Sequence, residues 1–266
     1  MLALIAGRGA LPAAVAAAQP QPPLICTLEG YVPDGLPVDM EFRLETIGTL
    51  IARLKEKGVT DVCFCGAIDR PRIDPNRIDA LTAPLVPIVA AALAAGEDGA
   101  LRAIMGLFEA EGMRAHAAHV LAPHLVLPRG SPTKTKVPEN AAADVAVALE
   151  ILAAQSAADM GQACVIRDGQ VLAREDTRGT DFMLASLSGL PARLQNEHAR
   201  AGLLFKAPKP DQDVRVDLPT IGPTTAQGAR DAGLAGVVIA AGGVIVLDQP
   251  GVFDILDRAG MYLWVR

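Results

Sequence analysis

Hydrophobic and polar positions along the chain switch between two periods. Leu2–Ala6 is an unbroken apolar run that ends in Gly7-Arg8-Gly9 and passes into an alanine-rich stretch beginning near Pro12. That order predicts a buried strand, a tight turn and a helix that tolerates proline in its first turn. Leu24–Leu28 is a second strand-like run, and Ile47, Leu50, Ile51 and Leu54 then recur at helical spacing before Gly58 stops the helix. Residues 61–66 predict a third strand, 84–95 and 100–111 two helices separated by Gly96-Glu97-Asp98-Gly99, and 113–118 a further strand. Alternation of this kind predicts an α/β N-terminal domain with a mostly parallel sheet covered on both faces.

The pattern changes at residues 128–138, which hold three prolines, a glycine and three basic residues and offer little to bury. This stretch predicts a linker. It divides the chain into an N-terminal domain over 1–127 and a C-terminal domain over 139–266. Beyond it, residues 139–158 predict a long helix, and residues 163–173 two strands around Asp168-Gly169, a pair suited to a tight hairpin. Strand signals follow at 203–206, 214–218, 237–240 and 244–247, with helices at 224–232 and 250–259. The C-terminal domain therefore reads as α+β, with more antiparallel pairing than the first. No internal repeat is present.

Composition narrows the function classes. Of the 266 residues 51% are hydrophobic, enough for a sizeable aliphatic core, while aromatics at 3% are too few for rows of rings that stack on single-stranded nucleic acid. Lys and Arg number 24 against 30 Asp and Glu, a net charge of −6, which argues against a nucleic-acid partner. Cys26, Cys63, Cys65 and Cys164 lack paired CxxC spacing and sit in apolar runs, as expected of a reduced, cytosolic protein. The apolar stretches at 88–95 and 236–247 fall short of the ~20 residues needed to cross a bilayer.

Several groups carry possible chemistry. Gly7 and Gly9 precede a helix, where backbone N–H groups meet phosphates, although Pro12 stands where a GxGxxG fingerprint needs glycine. Asp69, Arg70 and Arg72 follow the third strand, at the edge where α/β sheets bind ligands; read alone they are equally ordinary loop charges. Asp98 reads as a helix cap. In the second half Glu175, Asp176 and Asp181 flank Arg178-Gly179-Thr180, and Lys206 and Lys209 precede Asp211, Gln212, Asp213, Arg215 and Asp217. If 213–218 is a strand, Asp213, Arg215 and Asp217 share one face. Carboxylates so placed suit Mg²⁺ bridging to phosphates; a solvated sheet face is the plainer reading. The four histidines show no metal-ligand spacing, and neither a GxSxG nucleophile elbow nor a GxxxxGK[ST] loop is present.

The segments GRGALP, GEDGALR, EDTRGTD and FKAPKPDQDVRVDLPTIGPTT, in that order, resemble the UDP-2,3-diacylglucosamine pyrophosphatases of the LpxI type. The resemblance spans the whole chain and is most specific from Lys206 to Gly222. The Glu97 and Asp69-Arg70-Pro71 positions depart from the family pattern. The resemblance implies two linked domains, a homodimer, and a cytoplasmic enzyme that uses Mg²⁺, or Mn²⁺, to cleave its amphiphilic UDP-sugar substrate to UMP and 2,3-diacylglucosamine 1-phosphate in lipid A synthesis. On that footing Asp217 is the catalytic candidate. Asp213, Asp217, Glu175 and Asp181 are candidate metal ligands, and Gly7, Gly9, Arg70, Thr180, Lys206, Lys209, Gln212 and Arg215 candidate substrate contacts. Peripheral membrane contact is expected of an enzyme with such a substrate. Another sugar-nucleotide hydrolase or transferase, or a non-catalytic nucleotide-sugar or lipid-binding regulator, remains an alternative.

Overall fold

The opening strand and turn of the sequence form the centre of a parallel sheet. In the computed structural model, which describes residues 1–68, 73–94, 97–157, 160–187, 201–209, 213–215 and 217–266, β1 (Leu2–Ala6) leads to α1 (Leu11–Ala17), β2 (Leu24–Leu28), β3 (Met40–Phe42), α2 (Ile47–Glu56) and β4 (Asp61–Cys65). Then come α3 (Val86–Ala94), α4 (Glu97–Ala110), β5 (Arg114–Ala115) and α5 (Ala118–Leu121). The sheet order is β3-β2-β1-β4-β5 with every pair parallel. This is a doubly wound arrangement whose order reverses between β1 and β4, the place where such sheets bind ligands. Helix α2 forms as its spacing predicts and buries Ile47, Leu50, Ile51 and Leu54 against Ile5, Leu28 and Phe108.

Two details depart from the sequence pattern. Strand β3 is too short to announce itself and is held by its pairing to β2, Cys26 opposite Met40. The run at 113–118 gives only the two residues of β5 before the chain turns into α5.

The chain divides into two compact units, one of residues 1–123 with 213–217 and the other of residues 124–212 with 218–266. In the second, α6 (Ala141–Ala157) precedes the hairpin β6 (Ala163–Arg167) and β7 (Gln170–Arg174), then α7 (Gly179–Leu187), β8 (Leu203–Lys206) and β9 (Thr220–Ile221). It ends with α8 (Pro223–Asp231), β10 (Gly236–Ile239), β11 (Ile245–Val246), α9 (Gln249–Arg258) and β12 (Tyr262–Val265). The main sheet runs β12-β10-β8-β6-β7. Its first three strands are parallel and β6 and β7 antiparallel, so this unit is a mixed-sheet α/β layer structure. Alternate residues of β8 face opposite layers: Leu204 packs with Leu184 of α7 and Leu256 of α9, while Leu203 and Phe205 pack with Val145 and Leu152 of α6. At the hairpin tip Asp168 and Gly169 both have positive φ, and the Asp144 carboxylate accepts both of their N–H groups.

Residues 128–138, read from sequence as a linker, are fastened to this second unit. Gly130 pairs with Val265, the Thr133 hydroxyl accepts from the Leu263 N–H, and Val137 packs beside α6. In place of the strand expected at 214–218, Val214 and Arg215 form a turn, and the Asp217 N–H donates back to the Asp213 carbonyl. The reason is local: the Asp213 side chain accepts the Arg215 N–H, an Asx turn that competes with extended pairing. Alternating D-V-R-V-D matches a strand period, but the aspartate at its head closes the backbone. Among the described residues no helix is long and apolar enough to cross a membrane.

Candidate active site

In the second unit, Lys206 ends a strand in which all four residues are buried, and a charge there requires a partner. Its Nζ donates to Thr180 Oγ1 at 2.7 Å, and the Thr180 hydroxyl donates to Glu175 Oε1 at 2.5 Å. The other Glu175 oxygen, Oε2, accepts the Gln162 N–H at 2.6 Å. Exposures of 7% for Glu175, 6% for Thr180 and 7% for Lys206 place the whole chain of bonds out of bulk water. Three elements set it: Glu175 leaves β7, Thr180 opens α7, and Lys206 closes β8. Gly161 permits the packing, since a Cβ there would lie 2.4 Å from Glu175 Cγ. Sequence reading singles out all three residues, but as metal ligand and substrate contacts; the structure brings them together as one hydroxyl shared by a buried cation and anion.

Asp181, next along α7, is exposed. Asp176 bonds Arg178, which holds its carboxyl down at about 2, and the same guanidinium lies 3.9 Å over the Phe182 ring. Lys209 is half-buried beyond β8.

The acidic segment 213–217 belongs to the first unit. Arg215 donates from Nε to Asp213 Oδ1 at 2.9 Å, from Nη2 to Asp213 Oδ2 at 2.6 Å and from Nη1 to Glu109 Oε1 of α4 at 2.8 Å. Its guanidinium is therefore engaged by two carboxylates. The Arg215 hydrogen bonds hold the Asp213 carboxyl below its usual range, against a smaller opposing effect of burial. Asp217 is exposed, two residues beyond this clamp.

The glycine turn after β1 serves the sheet. Gly7 N–H donates to Cys65 O at 2.8 Å, Arg8 N–H to Ala67 O at 2.9 Å, and a Cβ on Gly7 would sit 2.5 Å from Ala67 O. Gly9 has φ +92° and open space around it. Helix α4 begins at Glu97, so Asp98 lies inside its first turn and not at its cap. Arg70 and Gln212, with Asp69, Arg72 and Asp211, lie outside the described residues. A pairing that the sequence does not suggest is His116 with Asp61, 2.7 Å apart at the start of β4, opposite the edge where ligands bind such sheets. Within neither unit do three or more His, Cys, Asp or Glu side chains converge as a metal site among the described residues.

Two α/β units in tandem, one doubly wound and one with a mixed sheet, with ionisable groups set at strand ends and helix starts, define a two-domain α/β protein. Comparison with known proteins gives the family. A model described as the LpxI N-terminal domain matches residues 1–125, and one described as the LpxI C-terminal domain matches residues 128–264. A Caulobacter vibrioides protein named UDP-2,3-diacylglucosamine pyrophosphatase LpxI is 35% identical over 268 residues, covering 98% of this chain and 96% of that protein. The chain belongs to the LpxI family.

Proposed function

We propose that this chain hydrolyses the pyrophosphate bond of UDP-2,3-diacylglucosamine, releasing UMP and 2,3-diacylglucosamine 1-phosphate in lipid A synthesis. The end-to-end likeness to the Caulobacter protein bearing that name carries the reading. Attack on an anionic phosphorus needs an oriented water and neutralisation of the diphosphate charge. Asp217, which is exposed to solvent, is assigned the orientation and deprotonation of water. Lys206, held in one position by Thr180, and Lys209 beyond it supply positive charge.

A divalent cation, Mg²⁺ or Mn²⁺, belongs to this proposal. Asp213 and Glu175 are poorly disposed to it, because hydrogen bonds already engage both oxygens of each. Asp217 and Asp181 are each exposed to solvent, and a single carboxylate can hold Mg²⁺ together with substrate phosphates. Such an ion would neutralise charge on the diphosphate oxygens. The setting is cytoplasmic, as a homodimer with peripheral contact at the inner membrane, consistent with an amphiphilic substrate and no spanning helix among the described residues.

The test is UMP release by the purified chain from UDP-2,3-diacylglucosamine and from its deacylated counterpart, with Mg²⁺ and with excess chelator. Release that prefers the acylated sugar and stops in chelator supports the proposal. Unchanged substrate after prolonged incubation with Mg²⁺ refutes hydrolysis, and full turnover in chelator refutes the cation.

A further inference from the structure

The second unit holds an open cavity of about 480 Å³ at the end of β12, lined by Arg129, Gly130, Ala142, Trp264, Val265 and Arg266. Gly130 and Val265 exchange N–H···O bonds of 2.9 and 2.8 Å, which hold Arg129 beside the last residues of the strand. The Arg266 guanidinium lies 5.2 Å from the centre of the Trp264 ring. No acidic side chain lines the space, and among the described residues neither guanidinium forms an ion pair with one. In a chain of net charge −6, two cations left without counter-charge in one cavity run against the overall sign.

The cavity lies on the α6 side of the main sheet. Trp264 packs against the apolar cluster that holds Val145 and Leu152 of α6. Ala142 stands in the first turn of that helix, so the partly positive end of 17 residues of helix adds to the two arginines. The carboxylate of that turn, Asp144, is buried and already accepts the N–H groups of Asp168 and Gly169. The bonds of Lys206, Thr180 and Glu175 lie across the sheet, because Lys206 alternates with Phe205 along β8 and its Nζ meets Thr180 of α7.

We propose that this cavity binds a nucleoside monophosphate, across the sheet from Lys206 and separate from the hydrolysed substrate. The phosphate takes the two guanidiniums, whose planar forks match phosphate oxygens in pairs. The base packs on the indole, beside Ala142 and Val265, since a flat aromatic face takes any base by stacking. Arg266 is held to the ring only by a half-exposed cation–π contact, an interaction weak enough for the guanidinium to swing to a phosphate and uncover the ring. The volume falls in the range of small-molecule pockets. A free phosphate would leave the indole unused, and an uncharged ring would leave the guanidiniums unused.

Trp264 is the only tryptophan of the chain, so its fluorescence reports this cavity in the intact protein. Titration with UMP, AMP, uridine and inorganic phosphate is expected to show saturable quenching by the two monophosphates, with uridine and inorganic phosphate each at least ~10-fold weaker. Arg129→Gln and Arg266→Gln keep the reporter and remove one charge each. Both should weaken UMP at least ~10-fold with an unchanged melting midpoint, and both should keep the parental KM for UDP-2,3-diacylglucosamine. Absence of saturable quenching by either monophosphate overturns the site, as does equal UMP affinity in the parent and both variants, or inorganic phosphate binding as tightly as UMP. A KM that rises in both variants by the factor lost in UMP affinity makes the cavity the seat of the substrate's own uridylyl group and overturns a separate site. The titration needs no turnover, so a chain that binds UMP here and hydrolyses nothing removes only the hydrolase reading.

Discussion

Thr180→Val is the most informative single change, because it keeps the shape of the side chain and deletes the hydroxyl shared by Lys206 and Glu175. Two hydrogen bonds to charged groups disappear, each of a kind that contributes about 1.5–3 kcal/mol when made. At 6–7% exposure water does not replace them in full, so the loss should approach the cost of breaking a buried ionic network, about 3–5 kcal/mol. We expect the second unit to lose about 3 kcal/mol, a fall of roughly 1.5 M in urea midpoint for a slope near 2 kcal/mol/M. Thr180→Ser retains the oxygen and loses one methyl, and should cost about 1 kcal/mol or less.

Urea unfolding of the three proteins decides the matter, and a valine variant within about 0.5 kcal/mol of the serine variant would refute the shared-hydroxyl argument. Glu175→Gln sharpens it. If Glu175 served only a metal, the variant would lose activity with little change in stability. As counter-charge to Lys206 it should destabilise the metal-free protein, and adding Lys206→Met should recover part of that loss, since two neutral partners are tolerated better than one stranded ion.

Asp217→Asn should lower UMP release at least ~100-fold while leaving the melting profile unchanged, because the group is exposed; turnover at the parental rate would move the catalytic assignment to another carboxylate. Gly7→Ala should cost at least ~2 kcal/mol, since its Cβ would press on the backbone of Ala67, whereas Gly9→Ala meets no neighbour and should cost only the ~1 kcal/mol of a left-handed φ; equal melting midpoints would refute the close-approach argument. The Asp213 carboxyl is depressed by Arg215, so its contribution is complete above the ordinary aspartate range near pH 4 and is lost as pH falls through the lower folded value. Arg215→Met should therefore flatten the stability of the first unit against pH below about 4; an unchanged acid limb would count against the clamp.

The fold was legible wherever burial on both faces or one helical stripe left a periodic trace. Leu2–Ala6, Leu24–Leu28, the stripe of α2 and the Asp168-Gly169 hairpin all stand in the structure as the pattern predicts. Tertiary context decided the rest. Strand β3 exists through its pairing with β2. Helix α7 lacks a strong amphipathic period and starts at a glycine with positive φ that reads equally as a loop. The α+β expectation for the second half rested on the β6–β7 hairpin, and the parallel trio β8, β10 and β12 is invisible to local pattern because pairing partners lie about thirty residues apart.

The candidate site was legible as a set of residue types and not as an arrangement. Glu175, Thr180 and Lys206 share no local spacing, and only the return of β8 beside β6 brings the lysine to the threonine. One signal was present: LLFK ends a strand whose preceding residues are all apolar, and a lysine at the end of a buried strand needs an acceptor from somewhere else in the fold. For Asp213, Arg215 and Asp217 the period misled, because side-chain capping by an aspartate competes with the strand within three residues and leaves no mark in hydrophobic alternation. What marks a structural carboxylate here is therefore what its oxygens already hold. Asp213 is committed to a guanidinium and Glu175 to a hydroxyl and an amide, so each first serves the fold around it, and the water-orienting role proposed for Asp217 stands or falls on the Asp217→Asn assay.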